Sequence, residues 1–132
     1  NWNVSQVTDM EEAFRFKTDF NGDISSWNVS NVTNMKNMFW GAFSFNGDIS
    51  SWDVSNVNTM NAMFERANSF NDDISSWNVS NVSSFGSMFY DATVFNQDLS
   101  SWNVSNASNC RYFDSLTPDW NKPKPNFSIN CD

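Results

Sequence analysis

Few side chains in this sequence carry chemistry of their own. Cysteine occurs only at Cys110 and Cys131, and histidine is absent. Without His the commonest general base and metal ligand are missing, and two thiolates fall short of a structural zinc site. A disulfide between Cys110 and Cys131 would close a loop of about 20 residues and stabilise by roughly 3 kcal/mol in the loop-entropy account; two buried free thiols are the alternative. An oxidised pair implies an extracellular setting.

Asparagine supplies the second candidate chemistry. The pattern N-x-[ST] occurs at Asn3, Asn28, Asn78 and Asn103, again at Asn31, Asn81 and Asn106, and once more at Asn126. These are candidate acceptors for N-linked glycans, with crowding between neighbours predicting partial occupancy. The alternative is that the same polar columns hydrogen-bond between repeats. Asp23, Asp48, Asp73 and Asp98 recur at one position before each Ile/Leu-Ser-Ser. Stacked carboxylates suggest calcium, the one cofactor candidate of a chain otherwise expected to hold none. Carboxylates about 5 Å apart in water repel by only about 0.8 kcal/mol, so the column needs no metal, and an Asx-type turn or strand-start contact is the preferred reading. Carboxylates repeated for structure are a poor basis for one active centre, and no enzymatic activity is expected.

The rest of the composition narrows the classes further. The chain has 132 residues, room for one ordinary domain, with 22 Asn and 21 Ser against 13 Phe and 7 Trp. Aromatic surface at 17% of residues is enough for a core, and the low charge argues against disorder. A net charge of -8 removes the attraction to phosphate backbones and anionic lipid, so nucleic acid and membrane surfaces are not expected partners. No apolar run approaches the roughly 20 residues needed to cross a bilayer. A start at Asn1 suggests a processed chain or an excised segment.

What must position these side chains is a repeat. Trp2, Trp27, Trp52, Trp77 and Trp102 recur every 25 residues without insertion or deletion, and Phe127 falls on schedule for a sixth. A fixed period of this size marks a solenoid. Within one unit, Trp27 and Val29 alternate with small polar residues, which predicts a short strand over 24–30. Val32, Met35, Met38, Phe39 and Ala42 follow at helical spacing after Ser30 or Asn31 as N-cap, which predicts a short helix. The expected fold is therefore an α/β repeat, a curved right-handed solenoid of short parallel strands plus short helices. Strands would line its concave side, and a column of touching Trp rings would be its main stabiliser. Residues 1–101 form four repeats; 102–132 form a degenerate fifth repeat and a disulfide-bonded C-terminal cap.

Read from Ile24 to Ile49, the unit I-S-S-W-N-V-S-N-V-T-N-M-x-x-M-F-x-x-A-x-x-F-N-x-D-I resembles the repeat of the BspA-like leucine-rich-repeat surface proteins. The likeness covers residues 2 to about 106. It implies a leucine-rich-repeat-like solenoid on the cell surface or secreted, with adhesion and partner binding as its roles and no catalytic residues to transfer. The departures, at Ala107, Cys110, Asp114, Thr117, Trp120, Pro123 and Lys124, gather in the last unit.

The two ends and one flank complete the expectation. The first repeat opens at Trp2 without a cap, which exposes core that upstream repeats or another subunit must cover; head-to-tail contact of that kind gives a fibre. On the flank, Arg15, Trp40, Glu65 and Tyr90 share a column, with Phe43 close by, and Trp40, Phe43 and Tyr90 are interface candidates alongside Trp2. The expected function is a non-enzymatic extracellular or cell-surface structural and adhesion module. The alternative is a recognition module for a protein or glycan.

Overall fold

The computed structural model describes residues 2–132. Its frame is a set of 25-residue coils beginning at Trp2, Trp27, Trp52, Trp77 and Trp102, each laid in parallel on the one before. Register is set at one residue per coil, where parallel bridges join Asp9 to Asn34, Asn34 to Thr59, Thr59 to Ser84 and Ser84 to Asn109.

The expected α/β solenoid of strand plus helix is overturned. Among the described residues there is no helix, and the only β pairing is those four single-residue bridges. The segment expected as strand, 24–30, forms no strand and is punctuated by turns at 25–26 and at 30. The segment expected as helix is a run of tight turns. In the second coil Met38, Trp40 and Ala42 donate their amides three residues back, to Met35, Asn37 and Phe39. The intervening amides of Met35, Asn37, Phe39 and Gly41 donate instead to Thr59, Asn61, Met63 and Glu65 of the third coil. A helix would spend every amide inside its own coil, whereas this alternation spends half of them on the neighbour.

The backbone pivots on two left-handed residues per coil, spaced four apart: Glu12 and Phe16, Asn37 and Gly41, Ala62 and Arg66, Ser87 and Asp91, Tyr112 and Leu116. Outside glycine that conformation costs roughly 1–2 kcal/mol per residue. It persists because the turns it creates aim amides at buried acceptors, whose loss would cost about 1–3 kcal/mol each. The apolar stripe read as helical is the inner face of these turns, with Val32, Met35, Met38, Phe39, Ala42 and Phe45 all fully buried. With no helices, the premise for a concave strand side and a convex helix side disappears.

The core is organised by phenylalanine more than by tryptophan. Phe14, Phe39, Phe64 and Phe89 stack at 5.3–5.6 Å between coils. A second column, Phe20, Phe45, Phe70 and Phe95, stacks at 5.8–5.9 Å. Each pair within a coil stacks at 4.0–4.2 Å. The Trp column is ordered beside them. Trp52, Trp77 and Trp102 are buried, and each indole Nε1 donates to an Ile carbonyl one coil back, at Ile24, Ile49 and Ile74. Trp77 and Trp102 lie parallel at 6.5 Å. The column expected to be the main stabiliser thus flanks a double Phe stack that fills the centre.

Candidate functional site

Each coil turns its polar residues outward in ladders, and the first ladders are built from asparagine. At the corner after the second Phe column, the Asn46 amide donates to Asn21 Oδ1, and the same bond joins Asn71 to Asn46, Asn96 to Asn71 and Asn121 to Asn96, all at 2.8–3.1 Å. This explains the Phe-Asn pair of the repeat, which reads in sequence as a turn signal only. A second ladder runs from the Asn31, Asn56, Asn81 and Asn106 side-chain amides to the carbonyls of Ser5, Ser30, Ser55 and Ser80 in the preceding coil, at 2.6–2.8 Å.

The candidate glycan acceptors therefore fall into two groups. Asn31, Asn81 and Asn106 belong to the inter-coil ladder just described. Asn3, Asn28, Asn78 and Asn103 instead accept, through Oδ1, the amide of the serine two residues on. The Ser5, Ser30 and Ser80 hydroxyls donate to the same oxygen at 2.6–2.7 Å. Asn126 is exposed in the C-terminal segment.

The aspartate column repeats that turn. Asp23, Asp48 and Asp98 each accept the amide and hydroxyl of Ser25, Ser50 and Ser100, while Asp73 accepts the Ser75 amide. Hydrogen bonds from the serine hydroxyls, then from their amides, hold the pKa values of Asp23, Asp48, Asp73 and Asp98 below the ordinary carboxylate range, and Asp53 with Ser55 behaves alike. Among the described residues no group of three or more Asp, Glu or Cys is placed to hold a metal.

Cys110 and Cys131 are joined, with their Cα atoms 4.7 Å apart. The bond pins a lid over the last coil. The Tyr112 amide donates to Cys131 O and the Leu99 amide to Pro123 O. Phe127 packs edge-on against Phe85 and Phe113 at 5.5 and 5.0 Å, and Trp120 ends the second Phe column against Phe95 at 4.8 Å.

At the opposite side of the stack, the first coil has no neighbour before it among the described residues. Interior coils receive the amides of Met10, Glu12, Phe14 and Phe16 on the carbonyls of Asn34, Lys36, Met38 and Trp40. The equivalent carbonyls of Asp9, Glu11, Ala13 and Arg15 have no donor among the described residues. Trp2 is 80% exposed, and with Phe14, Phe20, Asp23, Ile24, Ser26 and Trp27 it lines a cavity of about 240 Å³.

On the flank, the Arg15 guanidinium lies 4.3 Å from the Trp40 ring and 4.9 Å from Phe16, and its Nη1 bonds Glu12 Oε1 at 2.6 Å. Phe16 and Phe43 are 52% and 43% exposed, and Phe16 packs on Trp40 at 5.2 Å. Arg15 Nε and Trp40 Nε1 are buried with no partner. Tyr90 is not part of this cluster; it lies two coils away, with Glu65 in the intervening place. Burial pushes the Glu65 carboxyl above its usual range, with Arg66 acting against that shift. Phe16, which the repeat puts in the column beside Arg15, is a central member of the cluster. Gly41 is the clue, because a Cβ there would meet Phe16 Cδ1 at 2.5 Å.

A stack of short coils tied by side-chain ladders, closed at one end and carrying no cluster of catalytic or metal-ligating groups among the described residues, defines a repeat protein. The chain matches the family model described as Mycoplasma protein of unknown function, DUF285, over residues 1–57 and again over 22–127, and it belongs to that family. No curated protein and no solved structure matches it.

Proposed function

We propose that the chain is a non-enzymatic structural and adhesion module of the cell surface or extracellular space, of the BspA-like kind, whose open coil is covered by further repeats or by a neighbouring subunit. The observation that carries this reading is the contrast between the ends. One is sealed by the disulfide-pinned lid, while the other leaves four carbonyls and the rim of Trp2, Phe14, Phe20 and Trp27 uncovered. The unpaired groups repeat the pattern that every interior coil satisfies with its neighbour, so a coil of the same kind is the best-matched cover. The lid disulfide supports an oxidising compartment.

Electron microscopy of native material, joined to intact-mass analysis, tests the reading. Filaments or elongated stacks are expected; monodisperse monomers with the first coil in water would overturn the stacking. A second reading, recognition of a protein or glycan, is favoured by the exposed Phe16 packed on the half-buried Trp40, with Phe43 exposed on the same coil as Trp40. There Trp40→Ala should abolish binding to a glycan array or surface extract while the chain still unfolds cooperatively, and retained binding would remove these residues from consideration.

A further inference from the structure

The two sequon ladders differ in what each hydrogen-bonding group of the sequon is doing. In the second ladder both halves are committed to the preceding coil. Asn31 Nδ2 donates to Ser5 O while the Thr33 hydroxyl donates to Thr8 O. Asn81 and Ser83 repeat this on Ser55 O and Asn58 O, and Asn106 and Ser108 repeat it on Ser80 O and Ser83 O. In the first ladder the sequon closes on itself. The Ser5, Ser30 and Ser80 hydroxyls reach the Oδ1 of Asn3, Asn28 and Asn78, and the Nδ2 of all four exposed Asn has no acceptor among the described residues. The third coil interrupts both runs of sequons, because Asp53 replaces the first Asn and Asn58 the hydroxyl residue that would follow Asn56, although Asn56 itself keeps its ladder bond.

We infer that the folded chain carries N-linked glycans on the ladder Asn3, Asn28, Asn78 and Asn103, and on Asn126 in the lid, and excludes them from Asn31, Asn81 and Asn106. Attachment joins the anomeric carbon of the sugar to Nδ2. It breaks that carbon's bond to the pyrophosphate of a lipid-linked oligosaccharide donor, and one Nδ2 proton leaves with the lipid pyrophosphate released. On Asn28 this consumes a hydrogen that holds nothing, and the turn through Oδ1 survives. On Asn31 the nitrogen lies 2.8 Å from Ser5 O of the preceding coil, so a sugar there must either crowd that backbone or give up the ladder bond. Adjacent coils stand about 4.8 Å apart, less than the space two sugar chains need. Asn3 and Asn28 therefore compete, as do Asn78 and Asn103, and the gap at Asp53 separates the two pairs.

The inference rests on the extracellular reading, and the test separates the two. The full chain is directed by a signal peptide into the secretory pathway of an N-glycosylating yeast or insect cell. The protease-resistant secreted fraction is then mapped site by site after enzymatic deglycosylation in heavy-oxygen water. Occupancy on the first ladder is expected to exceed that on Asn31, Asn81 and Asn106 at least about tenfold, the ratio set by one lost hydrogen bond. A companion chain with Ser5, Ser30, Ser80 and Ser105 changed to Ala keeps the second ladder's sequons intact and should carry sugar on Asn126 alone. Comparable occupancy of Asn31, Asn81 or Asn106 in either folded chain, or a bare first ladder, overturns the inference. The extracellular reading is judged apart from this, by fractionation of the source cells; a cytosolic protein ends that reading whatever the map shows.

Discussion

At the scale of single residues, the left-handed positions make the sharpest prediction. Ala62 holds φ of 52° where a side chain costs roughly 1–2 kcal/mol and glycine costs nothing beyond its own chain entropy. Ala62→Gly should therefore raise stability by about 0.5–1 kcal/mol in urea titration, and Gly41→Ala, which meets Phe16, should lower it. The aspartates give a pH signature. Asp23, Asp48, Asp73 and Asp98 have folded pKa values below their unfolded ones, because their serines donate to the carboxylate. Their contribution is complete above the unfolded value near 3.9 and is lost as pH falls through the lowered folded values. The melting temperature should drop from about pH 4 downward. Changing all four to Asn, which makes the same turn at Asn28, should flatten that limb of a Tm-against-pH series. These residues also show where the sequence misleads. Asn37 and Gly41 are natural left-handed formers, but their counterparts Glu12, Ala62 and Ser87 are not, so only one coil advertises the turn that all five make.

At the scale of one coil, period and burial were legible while secondary structure was not. The 25-residue spacing of Trp, the buried set Val32 to Phe45 and the Cys110–Cys131 pairing all follow from residue type and position. The helix did not, since spacings of three and four fit successive tight turns as well as a helical face; the choice is made by amides that bond the next coil, a non-local term absent from a local window. Phe64 sits in the middle of that arrangement, stacked on Phe39, Phe89 and Phe70. Phe64→Ala should cost about 3–5 kcal/mol by thermal or chemical denaturation. Excising Asp53–Trp77, one whole period, should leave a folded chain with a shallower denaturant slope. Excising one residue fewer should abolish cooperative unfolding, because every ladder beyond the joint falls out of step.

At the scale of the whole molecule, the last coil depends on its lid. Reduction, or the paired change of Cys110 and Cys131 to Ser, should lower stability by roughly 3 kcal/mol, with Trp120 and Trp102 fluorescence shifting to the red in the melt. The larger consequence lies in the one-way run of amides from each coil to the next. Such a chain has a grain, like wood, and its units are interchangeable along that grain. A slip of DNA replication that gains or drops one full unit leaves every surviving interface intact and changes only length. The length of the stack is then a trait that heredity adjusts in steps of one coil, with no need to invent a new contact.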